Sequence, residues 1–212
     1  MRKLLIFAMA CLCGSAYAQV WAEVGEATDV LPGQLTIGAG PLTTITGSIL
    51  TSGDGDLFEI RITSFASFSA STNNAFGTLV DTQLFLFDSS GIGVAHNDDD
   101  PGGGGSFRSA LSSAFLTANG TYLLGISSFD NDPLNGAGLA IWADTPYGVE
   151  RAPDGPGAPG PLVSWDNGAS GSGTYQIDFT GTAFGVVPEP ASMIALGLGV
   201  AALLARRRRK LA

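Results

Sequence analysis

Leu57-Phe58-Glu59-Ile60-Arg61-Ile62 has a period of two. Phe58, Ile60 and Ile62 share one face of an extended chain, while Leu57, Glu59 and Arg61 share the other. That alternation predicts a strand with one face in a core and one in water. Ser52-Gly53-Asp54-Gly55-Asp56 precedes it as a tight acidic turn, since Gly and Asp both suit turn backbone. Before the turn, residues 44–50 read as another strand. Residues 19–41 are a lead-in, with Val20-Trp21-Ala22-Glu23-Val24 as a first edge strand and Leu31-Pro32-Gly33 as a turn. After it, residues 65–71 read as a strand with Phe68 in the core.

Further along, Thr82-Gln83-Leu84-Phe85-Leu86-Phe87-Asp88 is apolar on both faces, which predicts a central strand. Ser89-Ser90-Gly91 turns it into residues 92–95. His96-Asn97-Asp98-Asp99-Asp100-Pro101 and the four glycines after it predict a mobile acidic loop. Residues 110–116 and 121–127 read as a hairpin around Asn119-Gly120, with Tyr122, Leu124 and Ile126 on one face. Residues 139–142 form a short strand, and the Pro- and Gly-rich residues 145–161 an irregular arm. Residues 174–182 are the last strand, with Tyr175, Ile177 and Phe179 inward. Short alternating runs without a sustained helical period predict an all-β sandwich.

The two ends differ from this body. Arg2 and Lys3, an apolar run over residues 4–12 and Ala16-Tyr17-Ala18 have the order of a signal peptide, with cleavage after Ala18. The Sec translocon and signal peptidase are then partners. At the other end stand Pro188-Glu189-Pro190, an uncharged apolar run over residues 191–205, and Arg206, Arg207, Arg208, Arg209 and Lys210. The prolines exclude a continuous helix or central strand at that point. The apolar run predicts a short transmembrane helix, held by cations that stay on the cytoplasmic side. The chain therefore divides into 1–18, 19–187 and 188–212.

Both cysteines, Cys11 and Cys13, fall in the first segment, so residues 19–187 have no thiol or disulfide and depend on their apolar core. That segment holds three cations, Arg61, Arg108 and Arg151, against eighteen of the nineteen Asp and Glu residues, a net charge of −15. Such a surface excludes nucleic acid as a partner, because phosphates need neutralising cations. It suits a secreted protein and can attract divalent cations.

The residues for chemistry are few. His96 is the single histidine, and no nucleophile-elbow motif accompanies it, so the reading is a non-catalytic protein. Asp54-x-Asp56 and Asp98-x-Asp100 place carboxylates at alternate positions in Gly-flanked turns. Asp54, Asp56, Asp98 and Asp100 are therefore candidate calcium ligands, because calcium takes 6–8 oxygens in flexible geometry. Asp130-Asn131-Asp132 is a third such place. Ordinary turn chemistry accounts for the same aspartates. Two other classes stay open: a hydrolase centred on His96 or Glu150, and a carbohydrate-binding module using Trp142, Tyr147 and Trp165.

Two resemblances add to this reading. Val187-Pro188-Glu189-Pro190-Ala191-Ser192, with the apolar run and arginine cluster behind it, resembles the PEP-CTERM sorting signal of Gram-negative bacteria. Some collections label the same segment the C-terminal domain of ice-binding proteins. The resemblance implies release by the membrane protease exosortase and transfer to the surface or extracellular matrix, in association with exopolysaccharide or biofilm. Gly55-Asp56-Leu57-Phe58-Glu59-Ile60, residues 81–91, Asn97-Asp98-Asp99 and Gly120-Thr121-Tyr122-Leu123-Leu124-Gly125-Ile126 follow in an order similar to the bacterial pre-peptidase C-terminal domain. That resemblance implies a jelly-roll-like antiparallel β-sandwich with an accessory role outside the cell.

Overall fold

The structure is a computed structural model, and it describes residues 19–100, 102, 107–168 and 171–185. The expected signal peptide, the Pro188-Glu189-Pro190 element, the apolar run and the arginine cluster lie outside the described residues. In chain order the strands are β1 (Gln19–Ala22), β2 (Gln34–Leu35), β3 (Leu42–Ile49), β4 (Gly55–Ile62), β5 (Ser69–Ser71), β6 (Thr82–Asp88) and β7 (Gly93–Asn97). They continue with β8 (Ala110–Leu111), β9 (Gly120–Ser128), β10 (Pro133–Asn135), β11 (Leu162–Trp165), β12 (Gly173–Thr180) and β13 (Thr182–Phe184).

Two sheets form the body. One runs β1-β3-β12-β5-β8, and the other runs β13-β4-β9-β6-β7 with β2 added on β4. The all-β reading therefore holds. Most pairings are antiparallel, but β1 runs parallel to β3 and β2 parallel to β4. Ile45 and Ile49 of β3 and Tyr175, Ile177 and Phe179 of β12 meet Phe58, Ile60, Ile62, Leu84, Leu86, Leu124 and Ile126 of the facing sheet. This is the core that the period-two pattern predicts.

The second sheet is buried on its other face as well. Leu57, Phe85, Phe87 and Leu123 pack there with Ile141, Trp142, Leu162 and Trp165. The cover is the segment that carries the β10–β11 pair. Leu57, expected in water, is thus fully buried. The double-faced apolarity of β6 has the same cause: Leu84 and Leu86 enter one core, Phe85 and Phe87 the other. Trp165 lies so close over Gly55 that a Cβ there would sit 2.7 Å from its ring, so that position requires glycine.

Several local expectations are corrected. Phe65–Ser67 is a short 3₁₀ turn before β5, although Phe68 is buried as expected. The strand expected over residues 110–116 is only Ala110–Leu111, and it pairs with β5 in the opposite sheet from β9. No hairpin therefore forms around Asn119; its side-chain oxygen instead accepts the Phe65 amide at 2.7 Å. Residues 139–142 make a single bridge, Leu134 to Ala140. The arm over residues 145–161 is irregular as expected, and β11 and β13 are strands that the alternation did not signal.

Candidate functional site

His96 and Asn97 are the last residues of β7, and His96, Asn97 and Asp98 are 2 %, 0 % and 1 % exposed. The expected mobile loop is thus a buried strand end over these residues. Antiparallel register sets His96 opposite Phe85. The imidazole stacks on that ring and tilts against Trp142, and its Nδ1 lies 3.2 Å from the Leu84 carbonyl oxygen. Burial, aided by the Arg151 charge, lowers its pKa to about 3.

Just beyond His96 the chain builds a carboxylate cluster. Asp81 immediately precedes β6, and Asp98 and Asp99 immediately follow β7. One oxygen from each lies within 4.8 Å of the others. Asn97 fixes the bend: its Oδ1 accepts the Ala110 amide and its Nδ2 donates to the Asp99 carbonyl, both at 2.9 Å. The Asp99 amide donates to the Tyr147 carbonyl at 3.2 Å. Among the described residues, neither oxygen of the Asp98 carboxylate has a hydrogen-bond partner, and Asp81 Oδ1 has none either. Burial is the main cause that raises Asp98 to about 8. The charges of Asp99, Asp81, Asp132 and Asp144 act in the same direction. Asp81 rises to about 6 through burial and Asp99, and burial raises Asp99.

A second cluster joins Glu23, Glu26 and Asp56 at the edge of the first sheet. Asp56 is fully buried; its Oδ2 accepts the Tyr175 hydroxyl at 2.5 Å, while Oδ1 is unpartnered among the described residues. Burial raises it to about 9, against the opposing effect of the Tyr175 hydrogen bond. Glu23 is satisfied by two amides, Ala27 at 2.7 Å and Ser48 at 2.9 Å. Gly47 leaves the room that the Tyr175 hydroxyl and Glu23 carboxylate occupy. A shallow groove of about 470 Å³ crosses this region, lined by Glu23, Phe76 and Tyr175 among others.

The expected alternate-residue pairs are not brought together as pairs. Asp56 turns inward to Tyr175, whereas Asp54 Oδ2 accepts the Leu50 amide at 2.7 Å. Asp98 turns inward to Asp81, whereas Asp100 bonds Asn73 and the Gly102 amide. Asp81, Asp99, Glu23 and Glu26 join the clusters without having been singled out as ligands. Asp132 accepts from Gln83 at 3.2 Å and is raised to about 6, chiefly by burial and then Asp166. Trp142 and Trp165 are 1 % and 4 % exposed, and Tyr147 packs edge-on against Phe129, so these aromatics form no common open face. Glu150 accepts the Ser112 amide and hydroxyl at 2.9 and 2.5 Å.

Residues 186–210 match the PEP-CTERM protein-sorting motif. The motif implies exosortase-dependent sorting of an exported protein, first anchored in a membrane and then carried to the surface. No curated protein matches the chain. No helix among the described residues is long and apolar enough to cross a membrane.

Proposed function

We propose that this chain is a non-catalytic component of the cell surface or extracellular matrix, associated with exopolysaccharide. A signal peptide ending at Ala18 starts export. The apolar run over residues 191–205 holds the precursor, and exosortase cuts at Pro188-Glu189-Pro190. The sorting motif over residues 186–210 carries this reading. The body supports it: the single histidine is sealed between Phe85 and Trp142, with its Nδ1 against a backbone carbonyl, where it cannot meet a substrate. A double-sided core without cysteines suits a body that must persist outside the cell.

Deletion of the exosortase in the native host tests the processing step. The untrimmed precursor then accumulates in the inner-membrane fraction. A normally trimmed product in the deletion strain contradicts the reading.

A further inference from the structure

We infer that Asp81, Asp98 and Asp99 form a binding site for one calcium ion that clamps the open end of the β6–β7 hairpin. The observation behind this is a buried carboxyl group without a counterpart. Asp98 is 1 % exposed, and both of its carboxylate oxygens lack a hydrogen-bond partner among the described residues. A carboxylate withdrawn from water in this way is costly unless a cation or donor compensates it. What surrounds it is more negative charge: Asp81 and Asp99 in contact range, then Asp132 and Asp144.

The geometry fits a single ion. Ligand oxygens at 2.3–2.6 Å from calcium stand up to about 5 Å apart across the ion. The three carboxylates offer oxygens within 4.8 Å of one another. Three carboxylates can supply up to about six oxygens, which approaches the coordination number calcium prefers. All donors are hard oxygens, and the deep burial of Asp98 leaves little room for the water shell that magnesium retains. The site is also built in. Asn97 holds the bend after β7 through Ala110 and Asp99, and the Thr72, Thr82 and Ser109 hydroxyls link in a buried chain beside Asp81, at 2.7 and 2.8 Å.

The position gives the ion a structural task. Ser89-Ser90-Gly91 closes one end of the β6–β7 hairpin covalently. Asp81 enters it and Asp98 and Asp99 leave it at the other end, where an ion would tie the two strands. The Glu23–Glu26–Asp56 cluster is the weaker candidate, because Glu23 is already satisfied by two amides and one of the two Asp56 oxygens by Tyr175, whereas neither Asp98 oxygen is bonded among the described residues. The inference stands on residues of the body and is independent of the sorting reading.

The test uses the intact chain in detergent, stripped with chelator and titrated with calcium chloride by calorimetry at neutral pH, with thermal melts in parallel. The expected result is one saturable site per chain and a rise of several degrees in the melting temperature. Asp98→Asn weakens binding at least tenfold, yet melts no lower than the parent in chelator, because the carboxyl it replaces makes no hydrogen bond among the described residues. Asp54→Asn retains binding. Should Asp98→Asn fail to fold, Asp81→Asn and Asp99→Asn carry the same expectation. Absence of saturable heat, or calcium binding undiminished in the Asp81, Asp98 and Asp99 variants, overturns the inference.

Discussion

His96 lies face to face on Phe85, the ring centroids 4.4 Å apart and the planes 8° from parallel. The pair is the antiparallel register of β6 and β7 made visible, since the two residues are direct cross-strand partners. Burial keeps the imidazole neutral in the folded chain down to about pH 3, whereas the unfolded chain takes up the proton near 6.5. The unfolded state thus binds more protons between these values, and His96 makes the fold lose stability as pH falls through that window. The His96 ring signals in NMR should stay unchanged from pH 7 to 4. A midpoint near 6.5 would show that the ring is open to water.

Asp56 acts with the opposite sign. Its folded pKa is raised to about 9, so the native state keeps a proton that the unfolded chain releases near 4. Its contribution is fully present at low pH and is lost as pH rises towards 9. Glu23, Glu26 and Asp54 add to the effect, and the Tyr175 hydrogen bond opposes it. Asp56→Asn should flatten the decline in stability between pH 5 and 8.5, measured by denaturant unfolding. An unchanged slope means that the carboxyl is not held neutral.

Tyr175→Phe removes the one donor to Asp56 among the described residues and leaves a buried carboxyl with no partner there. The expected cost is about 1–3 kcal/mol in unfolding free energy. A variant as stable as the parent contradicts the buried contact.

The outer core makes a separate prediction. Phe85 touches Phe87, Trp142, Trp165 and His96 on the face that an isolated sandwich would leave in water. Phe85→Ala should cost about 3–5 kcal/mol, as for other buried aromatics. Val163→Ala on β11, where the side chain is half exposed, should stay within about 0.5 kcal/mol. Similar effects of the two would mean that the arm does not cover the sheet.

Arg151 holds that arm in place. Its guanidinium donates to the Thr145 carbonyl at 2.6 Å, to the Ala143 carbonyl and to Asp154 at 3.3 Å, while its backbone bridges His96. Arg151→Met should speed amide hydrogen exchange at Ala143, whose N–H bonds Asp154, relative to Leu124 in β9. Equal protection in both proteins contradicts the anchoring role.

The sandwich core was legible because Phe58, Ile60, Ile62, Tyr175, Ile177 and Phe179 each obey a period of two, a local property. The apolar excess of Thr82–Asp88 marked a strand buried on both faces, but what covers the second face is Ile141, Trp142, Leu162 and Trp165, far along the chain. Periodicity cannot name that partner. His96 illustrates the same limit. Its acidic, glycine-flanked neighbourhood reads as loop, yet pairing with Phe85 and bridging to Arg151 override local composition. The carboxylate clusters were half legible. Asp56 and Asp98 were visible as acidic turn residues, but Asp81 reaches Asp98 only through the β6–β7 pairing, and Glu23 reaches Asp56 only through the packing of one sheet on the other. Alternate spacing suggested Asp54 and Asp100 instead, and the bends after Asp98 and before Gly55 turn those side chains elsewhere.

The most direct test is the intact mass of the polypeptide recovered from the cell surface and the culture medium. The account predicts a chain that begins at Gln19 and ends near Pro188-Glu189-Pro190, without the apolar run and the arginine cluster. Recovery of the whole 21.6 kDa chain from the cytosol, with Met1 and Ala212 both present, contradicts it.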